Sequence, residues 1–264
     1  MTHIKRGALD QSTGDMKVEE TAVIAKLKTG EHYKFLGVLE NLKQEDKLVL
    51  KCATEVYLQR MSVIWSSPLS DYNRVHASNQ FALPVLTYYM RTQKWPIAEL
   101  QQIDRETRKI IVENGGKHPL GFKSLLYLPR EDGGRGLKSV ENEYKLAKIK
   151  APVNLCQNTD PTMELVRRFE EASGQSGHHS LLKDAIKYAK ELHLDLKLGE
   201  GEPTCRTVDG KETEGRKIGT YAKEFQQKQL RQETEEEKWQ GKLFKGRWND
   251  KMLSKGCFDW MKEW

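Results

Sequence analysis

A chain of 264 residues, 37% hydrophobic and 31% charged, is long enough for one large domain or two smaller ones, with a lean core under a heavily charged surface. It has no run of the roughly 18 apolar residues that a membrane span needs, and no apolar block after Met1-Thr2-His3-Ile4-Lys5-Arg6, so neither a membrane protein nor a signal peptide is expected and an intracellular location, cytoplasmic or nuclear, is. The net charge of +6 sits wholly in residues 51–150, which carry 16 basic against 10 acidic groups; such a local surplus either draws polyanions or is an ordinary solvated surface.

Residues 1–30 alternate polar and small residues around a short patch of Ala22, Val23, Ile24 and Leu27, too little apolar surface for a core. Tyr33 to Leu39 alternates aromatic and aliphatic residues, which predicts a strand with a bend or close backbone approach at Gly37. From Leu42 the period becomes helical. Leu42, Val49, Val56 and Val63, flanked by Leu48, Cys52, Tyr57 and Ile64, are expected inward, and Lys43, Lys47, Lys51 and Arg60 outward, until Ser66-Ser67-Pro68 ends the helix. A second helix is predicted over 72–89, with Val75, Asn79, Ala82, Leu83 and Leu86 inward and a kink at Pro84. Pro96 opens a third, whose stripe is Ile97, Leu100, Ile103, Thr107, Ile110 and Ile111, and whose surface is Asp104, Arg105, Arg108 and Lys109. After Asn114-Gly115-Gly116 come a short apolar run over 122–128 and a glycine-rich charged loop over 129–136, then helices over 137–150, 162–172 and 180–194. The stretch 198–219, rich in glycine and charge, predicts a flexible linker, and 221–239 a charged helix that is more an exposed arm than part of a core.

Chemistry-bearing motifs are sparse. Cys52, Cys156, Cys205 and Cys257 lie far apart, so neither a zinc site nor a disulfide framework is indicated, and separate reduced thiols are expected. His178-His179 point a quarter-turn apart on a helix, with no partner at ligand spacing. Pro129-Arg130-Glu131-Asp132-Gly133-Gly134-Arg135-Gly136-Leu137 lacks the lysine and hydroxyl residue of a nucleotide-hydrolysing loop. It could still present backbone N–H groups to a phosphate beside Arg130 and Arg135, or be a tight turn whose arginines pair with Glu131 and Asp132. Tyr33-Lys34-Phe35, Tyr88-Tyr89 with Arg91, Lys94-Trp95, and Lys245 with Arg247-Trp248 interleave stacking surfaces with cations, as single-stranded nucleic acid requires, although aromatics of this kind are more often core.

Taken in order, these segments resemble non-LTR retrotransposon reverse transcriptases. Tyr33-Lys34-Phe35-Leu36-Gly37-Val38 is similar to the signature near the end of the polymerase palm. It is followed by Tyr57-Leu58-Gln59-Arg60, Asn79 to Tyr88, Trp95, Glu99-Leu100, Asp104 to Lys109, His118-Pro119, Leu126 to Arg130 and Gly133 to Leu137, ending in Ser139-Val140-Glu141. The resemblance covers roughly 31–150 and continues weakly beyond. It implies a template–primer of RNA or DNA as partner, Tyr33, Lys34, Phe35, Leu36 and Gly37 as primer-grip residues, and the following helices as the thumb. Lys43, Lys47, Lys51, Arg130 and Arg135 are candidate backbone contacts on charge grounds.

The departures are equally specific. Polymerases of this type hold two magnesium ions on carboxylates, partly from an aromatic-x-Asp-Asp turn, and no such turn occurs in the chain. No catalytic residue, metal site or cofactor is therefore assigned, Mg2+ being expected only of an intact polymerase. The expected fold is mainly α, a helical thumb-like bundle with a short β remnant of the palm near the start. The expected divisions are 1–40 as palm remnant, 41–150 as thumb-like domain, 151–197 as helical extension, 198–219 as flexible linker and 220–264 as charged helical arm. The expected function is that of a template–primer-holding fragment, inactive alone; the alternative is a non-enzymatic remnant that binds nucleic acid, the missing palm or a second copy of itself.

Overall fold

A computed structural model describes residues 46–199, 202–207, 210–215 and 217–236, together with residues 3–5, 8–10, 16–17, 23–24, 32–35 and 38–40 nearer the start. The chain divides into two units, Met1–Cys52 and Ala53–Trp264. In the first, β1 (His3–Lys5) pairs antiparallel with β2 (Ala8–Asp10), β3 (Met16–Lys17) with β4 (Val23–Ile24), and β5 (Tyr33–Phe35) with β6 (Val38–Glu40). The segment expected as one bent strand is thus a hairpin, with Tyr33 opposite Glu40 and Phe35 opposite Val38.

Helix α1 (Asp46–Ser66) runs across the boundary between the units. Its buried face is Val49, Leu50, Ala53, Tyr57, Met61 and Trp65, while Val56 and Val63 are exposed. Of the expected inward valines, Val49 is buried, whereas Val56 and Val63 are misplaced. Larger side chains three and four residues apart outcompete a seven-residue valine repeat for the interior, and polar handles anchor them. Thr107 Oγ1 donates to Tyr57 Oη (3.1 Å), and Trp65 Nε1 donates to Ser78 Oγ (3.1 Å).

Beyond it, α2 (Asp71–Ala77) passes through a π turn, Ser78–Ala82, into α3 (Pro84–Met90). The kink expected at Pro84 takes the form of this wide turn, closed by Leu83 N–H donating to Ser78 O (3.0 Å), just before the residue whose ring would crowd an ordinary helix. Val75, Ala82, Leu83, Leu86 and Met90 are buried, and Asn79 is half-buried. Helix α4 (Ile97–Glu113) buries Leu100, Ile103, Thr107 and Ile111 as its spacing predicts, and also Asp104, which was expected on the surface.

The short helix α5 (Ser124–Tyr127) and a 3-10 turn (Arg130–Asp132) lead to α6 (Val140–Gln157), then α7 (Pro161–Gln175) and α8 (Leu181–Glu191). Central α6 packs against α3, α4, α7 and α8, burying Tyr144, Ile149 and Val153. Strands β7 (Leu194–Lys197), β8 (Thr204–Thr207) and β9 (Glu212–Glu214) form an antiparallel sheet in that order. The stretch expected as a flexible linker thus contains two strands. Leu194, Leu196, Cys205, Thr207 and Thr213 are buried, and charges of the expected linker (Arg206, Glu212, Glu214) lie with Asp195 on the opposite, solvated face. Helix α9 (Lys217–Glu236) is not an exposed arm over its described length, for it buries Ile218, Gly219, Ala222 and Thr234 against α5, α6 and β9. The fold is mainly helical, with one small three-stranded sheet in the second unit, and no described helix is long and apolar enough to cross a membrane.

Candidate nucleic-acid interface

The residues selected from sequence fall into three groups. Tyr33 is exposed on β5, where Lys34 and Phe35 also lie; Leu36, Gly37 and Lys43 lie outside the described residues. Lys47 and Lys51 are exposed one turn apart on α1. Arg130 and Arg135 belong to the second unit, where both are half-buried and meet partners on α2. The Arg130 guanidinium lies 4.5 Å over the Tyr72 ring. Arg135 Nη1 meets Asp71 Oδ2 at 3.0 Å and donates to the carbonyl of Gly116, and Asp132 takes a bidentate pair from Arg231 of α9. Gly134 lies so close to Leu128 that an added Cβ would fall 2.1 Å from its carbonyl oxygen. The loop is a packed corner joining α2, α5 and α9, and its arginines serve that packing.

A different set of cations converges where the sequence does not juxtapose them. A pocket of about 280 Å³ opens between α3 and α6, lined by Asn79, Leu83, Pro84, Thr87, Arg91, Lys138, Glu143, Leu146, Ala147 and Lys150. Its floor is built from both sides. Asn79 Nδ2 donates to Gly136 O (2.9 Å) while its Oδ1 accepts from Lys138 N–H (3.0 Å), which pins the start of the Lys138 segment to the π turn. The backbone of Arg91 is held by Lys148, wholly buried, whose Nζ donates to Arg91 O at 3.4 Å and stands 5.5 Å from the Tyr144 ring. Lys150 crosses α9 at Gly219, where a Cβ would come within 2.7 Å of its Cε, and Lys223 stands one turn further along α9.

The field in this pocket is positive. Partial burial lowers the Lys150 ammonium below its ordinary range; Glu143 opposes this, and Lys223, Lys138 and Arg91 add to it by repulsion. Among the described residues, Lys138 is the one of these four cations in a salt bridge, with Glu143 at 3.6 Å. Like charges held together without matching acids gain from an anion placed among them.

A second cavity of about 400 Å³ lies between α4, α6, α8 and α9, lined by acids as well as cations, several of which are engaged internally. Lys145 bridges Glu141 (2.9 Å) and Glu191 (2.8 Å), and Arg108 donates to Tyr127 Oη (2.9 Å). Of the aromatic clusters, Trp95 is core, stacked on Tyr144 with centroids 6.0 Å apart, whereas Tyr88 is exposed; Lys245, Arg247 and Trp248 lie outside the described residues. His179 meets Asp184 Oδ2 at 2.9 Å where the chain turns at Gly177 into α8. Among the described residues no group of three or more His, Cys, Asp or Glu is placed to hold a metal ion. No family model, curated protein or solved structure matches the chain.

Proposed function

We propose that the chain is a template–primer-holding, thumb-region piece of a non-LTR retrotransposon reverse transcriptase, working in the cytoplasm or nucleus, and that on its own it binds nucleic acid without polymerising it. The ordered motifs over 31–150 support the kinship, and the absence of an aromatic-x-Asp-Asp turn from the sequence supports the lack of polymerase activity. The observation that carries the binding is the convergence of Arg91, Lys138, Lys150 and Lys223 around one pocket with a single carboxylate. Cations so placed release counterions from a phosphate backbone, which makes affinity fall steeply with salt.

The test is fluorescence anisotropy of an RNA/DNA hybrid over a salt series. The wild-type chain is expected to bind at low salt. The triple substitution Arg91→Ala, Lys138→Ala, Lys150→Ala should bind more weakly, with a log–log salt slope shallower by about two to three, near one per lost phosphate contact. An unchanged slope, or no wild-type binding at low salt, would reject the reading.

One observation favours the alternative of a protein-interaction remnant. Helix α7 buries no residue and exposes Leu165, Val166 and Phe169, the last at 71%. Such a face favours self-association. Light scattering distinguishes the two, since a monomer up to high concentration counts against association.

A further inference from the structure

We propose that Phe81 and Tyr88 form a stacking platform for unpaired nucleotides, beside the pocket that draws their phosphates. The inference rests on the reading that this pocket holds a nucleic-acid backbone, and adds which form of nucleic acid the surface selects.

Phe81 is 61% exposed and Tyr88 56% exposed, although the helix carrying them is otherwise well packed, with Ala82, Leu83, Leu86 and Met90 at 4% or less. The two aromatics and Pro84 follow one another at three- and four-residue spacing on the side away from the core. The core does not need them there. At about 1.5 Å of rise per residue their rings stand roughly 10 Å apart along the axis, too far for one base to bridge, so they offer two separate stacking surfaces. Tyr88 is steadied by an edge-on contact with Tyr89, with centroids 5.1 Å apart and planes at 88°.

Cations flank the stripe at both ends. Arg60 of α1 donates from Nη1 to the backbone carbonyl of Phe81 at 2.6 Å, which places a cation at that end of the stripe. Arg91 follows Tyr88 by three residues and opens the pocket that Lys138 and Lys150 line. Positive groove and exposed aromatic faces together are what unpaired nucleotides require, each phosphate meeting a cation and each base a π-face. A duplex would use only the cations, because its bases are already stacked on each other and present edges. An apolar protein segment would leave the cations unanswered. The chemistry therefore favours a single strand.

The test uses the full chain and three probes of equal length: a single-stranded oligothymidine, the same strand with abasic positions, and a duplex. Both side chains are exposed, so Phe81→Ala with Tyr88→Ala is expected to leave circular dichroism and thermal unfolding unchanged. The double variant should bind the single strand about tenfold or more weakly and the duplex within twofold of wild type, while Tyr88→Trp retains single-strand affinity. The wild-type chain should bind the abasic strand about as weakly as the double variant binds the intact one. Single-strand affinity unaffected by the double substitution, or lost equally for single strand and duplex, would overturn the platform and leave the backbone-holding reading intact. So would displacement of the intact single strand by an acidic peptide as effectively as by an unlabelled strand. Failure of the wild-type chain to bind any probe would overturn both.

Discussion

Asp104 shows what a single residue contributes here beyond its charge. It stands on α4 but serves α6, accepting from Ser139 Oγ (2.7 Å), Val140 N–H (2.9 Å) and Glu141 N–H (3.2 Å), so that α6 starts with a carboxylate at its positive end. Removing it in Asp104→Ala leaves those donors inside the fold without their acceptor, and chemical denaturation should register a loss of about 2 kcal/mol. Burial raises its pKa above the ordinary carboxylate range, against the hydrogen bonds and the nearby Arg108, which lower it. A carboxyl raised in the fold contributes stability that is full below its unfolded value, about 3.9, and is lost as pH climbs through the folded value. The stability difference between wild type and Asp104→Asn should therefore move in favour of the variant as pH rises from 4 to 7; movement the other way would mean that hydrogen bonding outweighs burial. The sequence reading places this residue on the surface, because an ionisable side chain followed by Arg105 and Arg108 carries no local sign that a helix end from 35 residues away will meet it.

At the scale of elements, legibility followed the strength of local period. Helix α4 was readable because Leu100, Ile103, Thr107 and Ile111 keep one stripe over about three turns. The strands β8 and β9 were not, since each spans only three or four residues and shows too few alternations to stand out from a charged, glycine-rich background. Helix α9 misled for another reason. Beyond Ile218 its anchors are small, Gly219, Ala222 and Thr234, and it is held by specific pairs: Arg231 on Asp132, and Gln226 Nε2 donating to Asn142 O at 3.1 Å. Asp132 is 5% exposed on its side chain and Arg231 is 48% exposed, so losing the cation matters more than losing the acid. Arg231→Ala, which leaves a buried carboxylate without its bidentate partner, should cost about 2 kcal/mol and speed amide exchange across 226–236, whereas Asp132→Ala should cost less. Equal protection of that stretch in wild type and Arg231→Ala would show that the pair does not hold α9.

For the whole molecule, two features govern behaviour: a shared central helix and a charge surplus brought to a point. Because α6 touches α3, α4, α7, α8 and α9, a cavity in it is felt throughout. Ile149→Ala, at a wholly buried position, should lower stability by about 3 kcal/mol, with tryptophan fluorescence and circular dichroism shifting to the same new midpoint. Separate transitions would show that the helices fold independently. The surplus in 51–150 was countable from sequence, yet its focus was not, because Arg91, Lys138 and Lys150 meet only when α3 crosses α6, and Lys223 arrives on α9 from outside that block. The π turn gives this arrangement its angular phase. Ser78–Ala82 accommodates one residue more than an α-helical turn would, and a residue of helix is worth about 100° of rotation. Without that extra residue, everything after it would be turned by that angle relative to α2, and Arg91 would no longer line the same pocket as Asn79. A single surplus residue thus acts as an angular offset between the half of the helix that is bolted to the loop at Gly136 and the half that faces solvent.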